Sequence, residues 1–158
     1  MAMGGSAVNI TVSYSGVLAK PVDMRGRVEA LQAAISEMPQ YEPETKHTFH
    51  GGMYCREVWR PAGAIVVGKI HKKEHFYLIV SGTVAITTDE GVKSVTGPYL
   101  ICSKPGTKRA VYAETDALCM TFHVVSAATI EEAEIELVED DDNSMFVIGN
   151  KIKTEVLT

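Results

Sequence analysis

The sequence predicts a single all-β barrel with a short helix on either side, and three observations carry that prediction. Between Thr48 and Val125, short β-rich runs alternate with turn signals every ~8–12 residues, the spacing of a barrel or sandwich. No helical pattern interrupts those runs, which excludes a parallel α/β architecture. The chain has 158 residues, 46% of them apolar, which suits one domain built on one core.

Residues 8–14 alternate Val8, Ile10, Val12 and Tyr14 with Asn9, Thr11 and Ser13, a strand signal that would pair with a sheet edge or a second subunit. Residues 24–38 read as an amphipathic helix: Asp23 is the N-cap, Val28, Leu31, Ile35 and Met38 recur at helical spacing, and Pro39 ends it. Gln40–Lys46 reads as a polar connector. The barrel runs are Met53–Trp59, Ala64–His71, His75–Ile86, Gly91–Val95, Tyr99–Cys102, Arg109–Ala113 and Ala117–Val125. Between them lie Pro61-Ala62-Gly63, Lys72-Lys73, Asp89-Glu90-Gly91, Gly97-Pro98 and Pro105-Gly106, all turn chemistry. Thr129-Ile130-Glu131-Glu132 is a capping box opening a helix to about Val138. Asp140–Asn143 reads as a solvated break, and the apolar run Met145–Ile148 has no evident role. The chain divides into an N-terminal extension (1–46), the barrel (47–126) and a C-terminal helix and tail (127–158).

The formal charge is -5, from 15 basic and 20 acidic residues, so nothing electrostatic suggests a nucleic-acid or membrane surface. No stretch approaches the ~20 apolar residues of a membrane span, and the first residues lack a signal-peptide pattern. Cys55, Cys102 and Cys119 lie far apart with neither metal-finger spacing nor an even count. They read as reduced, buried thiols of a cytoplasmic protein.

Gly63 to Gly82 resembles the first sequence motif of the cupins, the double-stranded β-helix or jelly-roll family. That motif places a glycine six positions before a His-x-His pair, then a glutamate, then a glycine seven residues after the glutamate. Here Gly63 and Gly82 match, His71 stands at the second histidine, Lys69 at the first and His75 at the glutamate, with Glu74 displaced by one. Pro105-Gly106 resembles the second motif, with Arg109 in place of its histidine. The wider pattern is similar to small cupin-like proteins of phage and prophage genomes, through Met38-Pro39-Gln40, His47, Gly68–His75, Pro105–Arg109 and Phe122-His123. The resemblance implies a cupin barrel, a homo-oligomer paired through its sheets, and a site at the barrel mouth. The phage resemblance adds the virion as an alternative to the cytoplasmic location that the thiols suggest.

If the chain reverses at Lys72-Lys73, His71 and His75 meet at that mouth; along one continuous strand they would lie ~13 Å apart. His123 on the closing strand is the third candidate metal ligand, with Glu74 or His47 as the fourth. Such a set suits Zn, Fe, Mn or Ni; equally, the histidines are satisfied by hydrogen bonds and bind nothing. Lys69 and Arg109, if they face the cavity, favour an anionic ligand, and a desolvated Lys69 would serve as a base. Otherwise Lys69 reaches the rim and Arg109 pairs with a surface acid. Tyr112 follows Arg109 along one strand and is a further ligand-binding candidate; it and Tyr54 either line the cavity or face solvent. His50, beside Gly51-Gly52, is expected to be exposed, and Trp59 to serve the core or a subunit contact. Two functions follow: a small-molecule or metal-binding barrel, or a non-catalytic structural and assembly module, phage-associated in the second resemblance.

Overall fold

The computed structural model describes residues 23–154; the alternating segment at 8–14 lies outside them. Helix α1 spans Met24–Ser36, capped by the Asp23 side chain, which accepts from the Gly26 amide at 2.9 Å. Nine strands follow: β1 (Thr45–His50), β2 (Met53–Arg60), β3 (Ile65–Val67), β4 (His75–Ser81), β5 (Thr83–Thr88), β6 (Gly91–Thr96), β7 (Tyr99–Ser103), β8 (Ala110–Ala113) and β9 (Ala117–Val124). Helix α2 spans Ile130–Leu137, and a 3₁₀ turn covers Ile148–Asn150. No helix of the described residues is long and apolar enough to cross a membrane.

All strand pairs within the sheets are antiparallel. They form a five-stranded sheet ordered β1-β2-β9-β4-β7 and a four-stranded sheet ordered β3-β8-β5-β6, the two layers of a jelly roll. Between them Tyr77, Ile79, Val84, Ile86, Val111, Ala117 and Cys119 make one core cluster. Val28 and Ile35 of α1 pack with Val67, Ala110 and Met145, and Ala133 and Leu137 of α2 pack with Tyr54 and Val125. Each helix thus seals a different part of the barrel with an apolar stripe.

Several elements depart from the sequence reading. β1 begins inside the expected connector, because Thr45–His50 pairs with β2 across a two-residue turn at Gly51-Gly52, both at positive φ. The expected run from His75 to Ile86 is two strands, since Gly82 (φ +82°) turns the chain between sheets. The run from Ala64 to His71 is regular only over Ile65–Val67. Asp141 is not merely solvated: it accepts from Lys108 Nζ at 2.8 Å, and both side chains are largely buried. Met145 and Phe146 belong to the cluster beneath α1. Of the three thiols only Cys119 is buried; Cys102 is exposed and Cys55 half-buried, because strand alternation turns both to the outer face.

Candidate functional site

Strand pairing arranges the inward side chains of β2, β9 and β4 in rows. Tyr54 pairs with His123, Arg56 with Thr121 and Val58 with Cys119, while Tyr77 of β4 pairs with Thr121 and Ile79 with Cys119. One step beyond the Phe76–Phe122 pair, on the inward side, stand His75 and His123. Successive rows lie about 6.6–6.8 Å apart along the strands.

His71 arrives from the other sheet. Its amide donates to the Thr107 carbonyl (3.0 Å) and its carbonyl accepts from the Gly106 amide (2.8 Å), tying it to the Pro105-Gly106 turn. The end of α2 clamps it as well: the Lys72 amide donates to Leu137 O (2.7 Å), the Glu139 amide donates to Ile70 O (2.9 Å), and His71 bridges Val138. The chain then reverses through Lys72–Glu74 into β4. The ring centroids of His71 and His75 lie 4.2 Å apart, those of His75 and His123 4.7 Å, and those of His71 and His123 5.5 Å.

This cluster resists protonation. Burial pushes the His123 pKa down to about 3, with the Arg56 charge and His75 adding to it. Burial likewise holds His71 well below the usual imidazole range, helped by His75, Arg56 and His123. His75 is lowered by burial, opposed by its bond to Lys73 O and reinforced by Arg109 and Arg56. That bond, 3.2 Å to a carbonyl that can only accept, places the proton on His75 Nδ1 and leaves Nε2 as the acceptor.

Below the histidines lies a cavity of about 90 Å³, reached by Arg56, Arg60, Lys69, His71, His75, Tyr77, Arg109, Thr121 and Glu134, with Val58, Val67 and Val111 on its walls. Four of these residues are cations, and Glu134, carried by α2, is the one carboxylate. It lies 3.8 Å from Arg56 and 3.9 Å from Lys69. Arg109 donates to Thr87 O (3.1 Å) and Ser103 Oγ (3.0 Å), while its Nε is buried without a partner. Also buried and unpartnered are Arg60 Nε and Nη1, Tyr77 Oη, Thr121 Oγ1, His71 Nε2 and His123 Nδ1. Among the described residues no carboxylate lies within ion-pair distance of Arg60 or Arg109.

The structure therefore brings the rings of His71, His75 and His123 together, and His71 and His75 line the cavity that Lys69 and Arg109 also face. Two expected participants stand elsewhere. Glu74 is exposed, since the alternation that buries His75 turns its neighbour outward. Tyr112 is 43% exposed, because its strand neighbours Val111 and Ala113 take the inward positions. His47 is also apart: its Nδ1 meets Tyr54 Oη at 2.7 Å, and the Tyr54 ring stands between it and His123. Arg56, Arg60, Tyr77 and Thr121 escaped the sequence reading, although period-two alternation from Tyr54 puts Arg56 and Arg60 on the inward side. Glu134 had no such signal, being on a helix outside the barrel.

In donor type the three imidazoles suit a divalent transition metal: they are held neutral, and two keep an unpartnered nitrogen. In placement they do not make a cage as they stand, since among the described residues no three His, Cys, Asp or Glu side chains are positioned to hold a metal ion.

No family model and no curated protein matches the sequence. Solved structures do match the backbone. Salicylate 1,2-dioxygenase from Pseudoaminobacter salicylatoxidans, solved as adducts with gentisate, aligns at TM-score 0.50 and 13% identity, over 72% of this chain and 34% of that one. The chain has the cupin fold. Other cupin-like neighbours are a cupin superfamily protein from Desulfitobacterium hafniense (TM-score 0.47, 12% identity, 60% of this chain and 87% of that one) and KdgF from a Halomonas species (0.46, 14%, 52% and 80%). The chain spans about a third of the dioxygenase, so the likeness concerns the cupin barrel alone. In this cupin barrel the motif glycines Gly63 and Gly82 occupy positive-φ turns (+88° and +82°), and the motif positions Lys69, His71, His75 and Arg109 all reach the cavity.

Proposed function

We propose that the cupin cavity binds a small anionic molecule. The observation that carries this reading is the charge balance: Arg56, Arg60, Lys69 and Arg109 face one carboxylate, Glu134, across a cavity walled by valines. A buried cation without a counter-charge costs several kcal/mol, and an anion entering the cavity removes that cost. The neutral imidazoles add acceptors or donors according to tautomer, without adding charge.

Thermal melts at constant ionic strength, with acetate, butyrate or phosphate replacing chloride, test the reading. At a hundredfold excess over Kd a bound anion adds about 2.7 kcal/mol, or roughly 5–10 °C for a chain of this size. Replacing Glu134 with glutamine should lower the stability of the free protein by ~1–3 kcal/mol through the loss of its partners. The same change should tighten anion binding, because the internal competitor for Arg56 and Lys69 is gone. A flat melting temperature up to tens of millimolar anion, with the E134Q protein behaving alike, would sink the reading.

A second reading, assembly, rests on the outer face of the five-stranded sheet. Trp59, Phe76, Leu100, Met53 and Val124 are all exposed there, on strands β2, β4, β7 and β9. The rows Met53–Val124, Trp59–Leu118 and Leu78–Leu100 make the apolar surface continuous across the strands. A second copy of the chain pairing through this face is the expected partner. Light scattering should give a dimer mass for the native chain and a monomer mass for Phe76→Glu. A monomeric native protein at tens of micromolar would remove this reading.

A further inference from the structure

The floor of the cavity is more particular than its overall charge. Arg60 closes β2 opposite Ala117, and its side chain is 7% exposed. Tyr77 and Thr121 stand on neighbouring strands in one row, 7% and 5% exposed; neither hydroxyl makes a hydrogen bond of good geometry among the described residues, and Tyr77 Oη lies against Arg60 and Cys119. Burial pushes the Tyr77 phenol up to about 12, against the pull of Arg60, so it is a neutral hydroxyl at physiological pH. Glu134 is engaged higher in the cavity by Arg56 and Lys69. The floor thus offers the Arg60 guanidinium and two neutral hydroxyls, with valine walls above it.

We infer that Arg60, Tyr77 and Thr121 form the headgroup subsite for a short aliphatic monocarboxylate, whose apolar body lies against Val58, Val67 and Val111. One guanidinium and two neutral hydroxyls can engage both oxygens of a single carboxylate, and the valine walls above them favour an aliphatic body over further charged oxygens. The size agrees: at ~10–15 Å³ per water-sized group on the same measure, about 90 Å³ holds about six to nine groups. That is a carboxylate with a few carbons.

This inference rests on the cavity being an anion site, and calorimetry with sodium acetate, sodium butyrate and inorganic phosphate separates the two. Each buried methylene is worth about fourfold in affinity, so butyrate should bind about 10–15-fold more tightly than acetate, and phosphate more weakly than butyrate. Tyr77→Phe, which keeps the ring and its packing, should weaken butyrate about 5–10-fold through one lost hydrogen bond. Arg60→Met, similar in length, should abolish binding. If R60M does not fold, the Y77F titration and the chain-length series decide the matter alone. Butyrate binding unchanged in Y77F, phosphate tighter than butyrate, or R60M binding normally while Lys69→Met does not would each overturn the floor assignment and leave the anion cavity standing. No binding of any of the three anions to the native protein would end both.

Discussion

Gly82→Ala will destabilise the protein by about 3–5 kcal/mol, the largest effect expected of a single added methyl group at the described glycines. Gly82 turns the chain between β4 and β5 at φ +82°, where an L-residue pays backbone strain of ~1–2 kcal/mol. The remainder is collision. A Cβ there would sit 2.1 Å from the Asp116 carbonyl oxygen and 2.7 Å from the Ala117 Cα, both backbone atoms at the start of β9. Relief requires β9 to move, and β9 lies at the centre of the five-stranded sheet and carries Cys119, Thr121 and His123. Gly63 supplies the internal comparison. It has φ +88°, yet nothing lies within 4 Å of where its Cβ would be, so Gly63→Ala should lose only the strain, about 1–2 kcal/mol. Urea midpoints of the two variants, with slopes checked for two-state behaviour, give the comparison directly. Equal losses would mean that conformation alone, and not the close approach of β9, requires glycine at 82.

Acidification from pH 7 to pH 5 will remove several kcal/mol of stability, and the histidine cluster will be the main cause. The folded-state pKa of His123 is lowered to about 3, and those of His71 and His75 are lowered as well. Above about pH 6.5 each imidazole is neutral whether folded or not, and no penalty exists. Below it the unfolded chain takes up protons that the folded chain refuses, so stability falls with pH until the folded groups titrate. At about 1.4 kcal/mol per pH unit, His123 alone accounts for about 2 kcal/mol by pH 5. The groups facing the cluster work in the same direction: Arg56 opposes protonation of all three rings and Arg109 that of His75. The carboxylates held low by partners, Asp141 beside Lys108 among them, lose their contribution only at lower pH, so the window from 7 to 5 isolates the imidazoles. Unfolding curves at pH 7, 6 and 5 should show the decline, and His123→Gln should flatten it by about 2 kcal/mol at pH 5. The same slope in that variant would place the acid sensitivity elsewhere.

The parts of this protein that could be read from its sequence are those where one local rule acts alone. α1 announces itself through Asp23 and the spacing of Val28, Leu31 and Ile35; the Thr129 cap and Glu132 open α2. β2, β6, β7, β8 and β9, each bounded by turn residues, fall within a residue of expectation, whereas β3 stops four residues short of His71. β1 did not stand out because Thr45–His50 is an edge strand with a single large apolar side chain, Phe49. β4 and β5 merged because only one glycine separates them. At the site, the family-like spacing located Lys69, His71, His75 and Arg109 in the cavity, and it could not say that Tyr112 faces outward, which depends on strand register. Buried arginines on a strand are uncommon enough that Arg60 reads as a surface residue until the sheets are closed around it.

α2 lies outside the barrel wall, yet it delivers the only acidic group among the cavity residues named above and pins the segment that bears His71. The net charge inside the barrel is consequently set in part by an element that is not one of its strands: without Glu134 the cavity cations would face no carboxylate at all. Selection acting on the cap at Thr129, or on the Leu137 and Ala133 contacts with Tyr54 and Val125, can therefore retune what the interior accepts without altering a single strand.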